Sequence, residues 1–192
     1  MPLLEAKGII KRYGGILALN QMHFAADVGE VHAILGENGA GKSTFIQILS
    51  GAAAPDGGYL TLGGVPYAPR NPREARAAGI GPVFQELSLI PDLTVAENIF
   101  FGREELSAVG TISQGRLNRR AEALFESLGL TPIAPRAPVR TLSIGDRQLI
   151  EIVKGLATDP AILILDEATS ALLPREVEWL LAKARERAAA GK

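Results

Sequence analysis

Two short stretches of the chain are apolar at nearly every position. Val31-His32-Ala33-Ile34-Leu35 is closed by Gly36, and Ala161-Ile162-Leu163-Ile164-Leu165 is closed by Asp166. A run with no polar face for water predicts a strand buried on both faces, as in a parallel sheet covered by helices. Ligands in that architecture gather beyond the carboxyl ends of the strands, and there the polar residues stand. Between the two runs, Gly57-Gly58-Tyr59-Leu60-Thr61-Leu62-Gly63-Gly64 alternates between glycine brackets. This predicts an antiparallel strand of a side sheet, with residues 3–10 and 22–28 available to pair with it.

From about residue 94 to 157 the period becomes helical. Thr94-Val95-Ala96-Glu97 has the spacing of a capping box, with Gly102 as a stop. Leu117, Ala121, Leu124 and Leu128 form a helical stripe ending at Gly129, and Leu149, Ile152, Val153 and Leu156 form another. A last helix is expected to start near Pro174, with Val177, Leu180, Leu181 and Ala184 on one face, and to stop at Gly191. The pattern therefore predicts an α/β fold, with an α/β core and β side sheet over about 1–90 and 158–192 and a helical subdomain over about 91–157.

Composition narrows the partners. The 192 residues, 47% hydrophobic and 21% charged, suit one globular domain. Twenty Lys and Arg against 21 Asp and Glu give a net charge of -1, so nucleic acid is not an expected partner. There is no Cys, which excludes disulfides, thiolate metal sites and cysteine nucleophiles, and fits a reducing compartment. The N-terminal ten residues do not resemble a signal peptide, and the longest apolar runs fall far below the roughly 18–20 residues that cross a bilayer. Any membrane contact is expected through a partner.

The first apolar run leads into Gly36-Glu37-Asn38-Gly39-Ala40-Gly41-Lys42-Ser43-Thr44, followed by apolar helical residues. This is a phosphate-binding loop between strand and helix. Its glycines let successive backbone N–H groups turn toward phosphate oxygens, and the helix presents its positive end to the same anion. Lys42 is expected to reach the β- and γ-phosphates and Ser43 to hold Mg²⁺. Asp166, ending the second run, is a carboxylate placed to hold Mg²⁺, with Glu167 placed to orient and deprotonate the attacking water. The same pair is also a plausible helix cap. Ser143 and Asp146 fit a capping box as well as a functional site, and Gln85 in Phe84-Gln85-Glu86 sits where the α/β core meets the helical insert.

These segments occur together in an order that resembles the ATP-binding subunits of ABC transporters: the loop from Gly36, then Gln85, then Leu142-Ser143-Ile144-Gly145-Asp146, then Leu165-Asp166-Glu167-Ala168-Thr169-Ser170. The resemblance implies a P-loop ATPase fold with a mainly parallel core sheet, an antiparallel side sheet and a helical subdomain. It implies that Tyr13 stacks on adenine, that Gln85 senses Mg²⁺ and the membrane partner, and that Ser143 and Gly145 close on ATP bound to a second ATPase domain. Residues 85–104 and 148–156 are similar to the importers of monosaccharides such as ribose, galactose and xylose, in which two ATPase domains are fused. The expected partners are an ABC permease, a second ATPase domain downstream and, indirectly, a sugar-binding protein, with the chain at the cytoplasmic face of the membrane. Alternatives of the same family are a nucleoside importer and a soluble ATPase with no transport role; a domain that binds nucleotide without hydrolysing it is a third.

The chain departs from the family pattern at Ile144, Asp146 and Ala168 and in residues 170–173, none of which removes a phosphate or Mg²⁺ ligand. The family's switch histidine has no counterpart: His23 and His32 both precede the phosphate loop and read as strand residues. Residues 1–192 are accordingly expected to form one ABC ATPase domain without its closing C-terminal strands, poorly active by itself.

Overall fold

A computed structural model describes residues 2–84, 87–105, 110 and 112–192. The chain forms two compact units, the first from residues 1–82, 160–166 and 181–192, the second from residues 83–159 and 167–180.

In the first unit, β1 (Leu4–Tyr13) and β2 (Ile16–Ala26) form a hairpin, and β3 (Gly57–Leu62) and β4 (Val65–Pro66) extend it to a four-stranded sheet of order β2-β1-β3-β4. The turn is Gly14-Gly15, with Gly14 at φ +56°, the positive dihedral that two-residue hairpin turns require. The side-sheet strand is thus β3 as expected, and it pairs antiparallel with β1. Residues 22–28 differ from expectation: 22–26 belong to β2, whose partner is β1, and 27 and 28 lie beyond its end. Along β1 the buried side chains are Leu4, Ala6 and then Ile9, a change of parity across a register shift at Gly8, φ +61°. A bulge adds one residue and swaps faces, which strict alternation does not anticipate.

Helix α1 (Lys42–Leu49) lays Phe45, Ile46, Ile48 and Leu49 into the first core, with Leu4, Ile9, Leu60, Tyr67 and Ile80. Phe24 meets Phe45 edge to face at 5.4 Å between ring centroids. After α2 (Pro72–Ala77), capped by Asn71, strand β5 (Ile80–Val83) pairs with β6 (Ile162–Leu165) in a separate two-stranded sheet.

The two apolar runs part company here. Residues 162–165 form a strand, but half-buried rather than buried on both faces. Residues 31–35 form no strand: Leu35 is 89% and Val31 64% exposed, and among the described residues none of their backbone N–H groups has a backbone partner. An apolar run becomes a buried strand only when a neighbour satisfies its ladder and covers its faces, and no described strand does so for residues 31–35.

The second unit is helical. Thr94 caps α3 (Val95–Phe100) in a complete capping box with Glu97, and Gly102 follows at φ +71°. Helix α4 (Gln114–Ser127) ends before Gly129, also at φ +71°. Helix α5 (Ile144–Leu156) buries Leu149, Ile152, Val153 and Leu156 as the stripe predicted. Val95, Ile99, Phe100, Leu117, Phe125, Ile150 and Val153 build its core. Helix α6 (Pro174–Ala189) belongs to the second unit up to Leu180 and to the first beyond it. Leu180 is buried, whereas Leu181, expected on the same face, is 48% exposed. The Trp179 indole N–H donates to the Leu128 carbonyl at 2.8 Å.

Candidate functional site

The phosphate loop turns on Gly39 and Gly41, at φ +84° and +85°. At Gly41 a Cβ would stand 2.5 Å from the Ala18 carbonyl oxygen and 2.7 Å from Leu19 Cδ2, so a side chain is excluded by space as well as by dihedral. Gly41 is also the N-cap of α1 and supplies no capping side chain, and the first turn of α1 contains no acidic residue. The helix therefore opens with N–H donors that no side-chain cap satisfies and with its positive dipole end uncompensated, which suits an anion. The Lys42 ammonium folds back on this loop, donating to the carbonyls of Gly36 at 2.7 Å and Glu37 at 2.9 Å. Gly36, Glu37, Asn38, Gly39 and Ala40 are exposed, as is Ser43, while Thr44 is half-buried.

Tyr13, at the end of β1, is 46% exposed, and its hydroxyl donates to Gln47 Oε1 of α1 at 3.2 Å. The Lys11 ammonium lies 5.4 Å from the ring centroid. Asp56 holds this end of β1: it accepts from the Arg12 N–H at 2.6 Å and from Lys11 at 3.1 Å, which keeps its carboxyl below the usual range, the Arg12 bond being the larger cause. Neither Gln47 nor Asp56 was flagged by the sequence. They act through long-range pairing of β1 with α1 and the turn before β3, which leaves no local signature.

Asp166 follows β6 directly, half-buried. Glu167 is exposed and has φ +49°, left-handed backbone that a non-glycine residue adopts at a cost of about 1–3 kcal/mol. Its carbonyl accepts from the Ser170 N–H at 3.3 Å, while the adjacent Ala168 is buried. Such strain concentrates at functional positions, and here it falls on the residue expected to act as base.

In the second unit Ser143 is the N-cap of α5: its Oγ accepts from the Asp146 N–H at 3.1 Å and donates to Asp146 Oδ2 at 2.6 Å. Gly145 runs so close to the residues after β6 that a Cβ there would lie 2.9 Å from the Ala171 carbonyl oxygen. Ile144 is 71% exposed. The N-cap half of the capping reading is therefore realised, while the Asp146 carboxylate takes the hydroxyl proton of Ser143 rather than its backbone N–H. Gln85 lies outside the described residues. Of the two histidines, His23 is an exposed residue of β2 in the side sheet, and His32 is bonded to Glu30 at 2.7 Å. Glu30 is held below the usual carboxylate range by the Asp27 N–H first and His32 second. Among the described residues no helix is long and apolar enough to cross a membrane.

Comparison with known proteins follows the same lines. The family model described as ABC transporter matches residues 19–170. The ribose import ATP-binding protein RbsA 1 of Rubrobacter xylanophilus is 49% identical over 93% of this chain and 36% of its own length. The ribose import ATP-binding protein RbsA of Rhodococcus jostii is 44% identical over 100% of this chain and 38% of its own. The chain thus spans a little over a third of the length of these relatives. A nucleotide-free ATP-binding cassette from an ABC transporter superposes with a TM-score of 0.83 at 25% identity, over 100% of this chain and 79% of the other. A dimeric cassette in a post-hydrolysis state bound to ADP and phosphate gives 0.80 at 27% identity, over 98% and 84%. A family match over most of the sequence and the cassette fold over its whole length agree: the chain belongs to the ABC transporter family.

Proposed function

We propose that this chain is an ATP-binding and ATP-hydrolysing domain of a sugar importer, and that it powers a membrane permease from the cytoplasmic face. The observation that carries the reading is the uncapped start of α1 behind a loop whose last glycine, Gly41, leaves room for nothing larger. Two ribose-import relatives at 44% and 49% identity support the sugar.

On this reading the loop N–H groups and Lys42 hold the phosphates of ATP, and Tyr13 offers its exposed ring to the adenine. Ser43 and Asp166, with Gln85, are the residues that would hold Mg²⁺; an exposed hydroxyl and a carboxylate at a strand end are the oxygen donors that cation takes. Mg²⁺, when bound, neutralises charge on the phosphate oxygens. Glu167 orients a water and takes its proton. Ser143 and Gly145, at the N-terminus of α5, meet the nucleotide held by a second ATPase domain of the same protein. To donate to a phosphate, Ser143 must give up its bond to Asp146, which makes this signature a restrained one. A sugar-binding protein outside the membrane delivers the solute, and the permease recognises it. The bare residues 31–35 support a further element of the proposal: other strands of the same protein complete the core sheet around them.

The test is equilibrium binding of ATP. Replacing Lys42 with Ala is expected to weaken it roughly 10- to 100-fold, the value of a charge-assisted contact; unchanged affinity would remove the phosphate-loop assignment.

A further inference from the structure

Helix α5 carries a buried carboxylate that the nucleotide chemistry does not use. The Glu151 side chain is 5% exposed; its Oε1 accepts from the Ser88 hydroxyl at 2.6 Å, and among the described residues its Oε2 has no hydrogen-bond partner. Lys154, one turn on, donates to Ser88 Oγ at 2.8 Å and to the Ser88 carbonyl at 3.3 Å, while its ammonium stands 3.9 Å from Glu151 Oε1. The hydroxyl of Ser88 therefore lies between an anion and a cation of the same helix, donating to one and accepting from the other. Two residues on, the chain is fixed differently. Asn98 of α3 accepts from the Ile90 N–H at 2.7 Å and donates to the Ile90 carbonyl at 3.0 Å, and Leu89 packs on the helical core.

We propose that Ser88 is a releasable latch on α5, hinged at residues 89–90. The argument is one of charge. A buried carboxylate that loses its donor is costly unless a cation takes over. Lys154 needs to move only about 1 Å to reach hydrogen-bond distance of Glu151. Withdrawal of Ser88 then exchanges three bonds for one direct ion pair and leaves neither charge uncompensated. Withdrawal of Ile90 has no such substitute, because it takes from the buried Asn98 Oδ1 the N–H that donates to it. One end of the segment is thus bistable and the other fixed, the arrangement of a discrete two-position contact. Ser88 lies three residues after Gln85, and α5 begins at Ser143. On the functional reading above, on which this step rests, the latch sets whether the chain leading from the Mg²⁺-sensing glutamine is held to the signature helix.

Because the chain has no Cys, a nitroxide attached at Leu87→Cys reports this segment alone. Removing the latch with Ser88→Ala is expected to increase the mobility of the label several-fold while Tm stays within about 2 °C, as Lys154 closes on Glu151. Lys154→Met, which leaves the carboxylate without its cation, is expected to lower Tm by clearly more, and the Ser88→Ala/Lys154→Met pair by more than the sum. Unchanged label mobility in Ser88→Ala, or a loss of Tm as large as that of Lys154→Met, overturns the latch. Adding Mg·ATP is expected to mobilise the label in the protein with Ser88 and to add nothing in Ser88→Ala; a label that ATP does not move breaks the link to the nucleotide cycle. The Lys42→Ala titration tests the nucleotide reading separately, so the two failures are distinguishable.

Discussion

Residues 31–35 and 161–165 are alike in pattern, both apolar at nearly every position and both followed by the residues expected to do chemistry, yet only the second forms a strand, over Ile162–Leu165. Strand β6 has β5 beside it, and the Ile162 N–H donates to the Gly79 carbonyl at 3.1 Å. Residues 31–35 have no such neighbour and stand in solvent. Hydrophobic pattern states which faces want cover; it does not supply the cover. The phosphate loop beyond residue 35 nevertheless keeps its turns, because these depend on local glycine dihedrals and on the close approach of Ala18 rather than on a strand ladder.

Amide hydrogen exchange gives the widest contrast: the Ile162 amide is expected to exchange at least roughly 100-fold more slowly than those of Ala33 and Ile34. Comparable rates would mean that the two runs are alike in solution. Next is the wall behind β6. Ile80, 1% exposed in β5, should cost about 2–5 kcal/mol when cut to Ala, read from urea unfolding. A smaller step tests the core against which β6 packs. Tyr67 donates to the Leu49 carbonyl at 2.6 Å, and burial pushes its phenol up to about 12. The folded state thus favours the protonated phenol, so its contribution is intact below the unfolded value near 10 and is lost as pH rises from there through 12. Tyr67→Phe, which removes the titrating group and strands the carbonyl, should cost about 1–2 kcal/mol at neutral pH and flatten that alkaline decline. The smallest effect belongs to the bare run: Leu35→Ser should change stability by no more than about 0.5 kcal/mol, and a loss above about 2 kcal/mol would show that Leu35 is covered.

What could be read from the sequence was local. The capping box at Thr94, the N-cap at Ser143, the glycine stops at Gly102 and Gly129, the stripe of α5 and the turn-forming glycines of the phosphate loop all depend on residues within a few positions of one another, and each is found where the pattern put it. The pairing of β2 with β1, the bulge at Gly8 and the bare run 31–35 depend on partners far along the chain, so periodicity could not decide them. Buried polarity was hidden for the same reason. Nothing near Asn98 or Glu151 announces burial, since the groups that bond to Asn98 and to Glu151 Oε1 are backbone or hydroxyl groups 4–63 residues away. At the site, Glu167 was legible as chemistry but not as strain, because its left-handed backbone is set by the turn after β6.

The central claim is a division of labour in which the loop around Lys42 binds the nucleotide and Glu167 turns it over. It is tested most directly by measuring ATP binding and hydrolysis side by side before and after Glu167→Gln, with any further ATPase domain of the protein silenced. The account predicts ATP affinity within about twofold of the original and turnover reduced by roughly 100- to 10,000-fold. Undiminished turnover in the Glu167→Gln protein would contradict it.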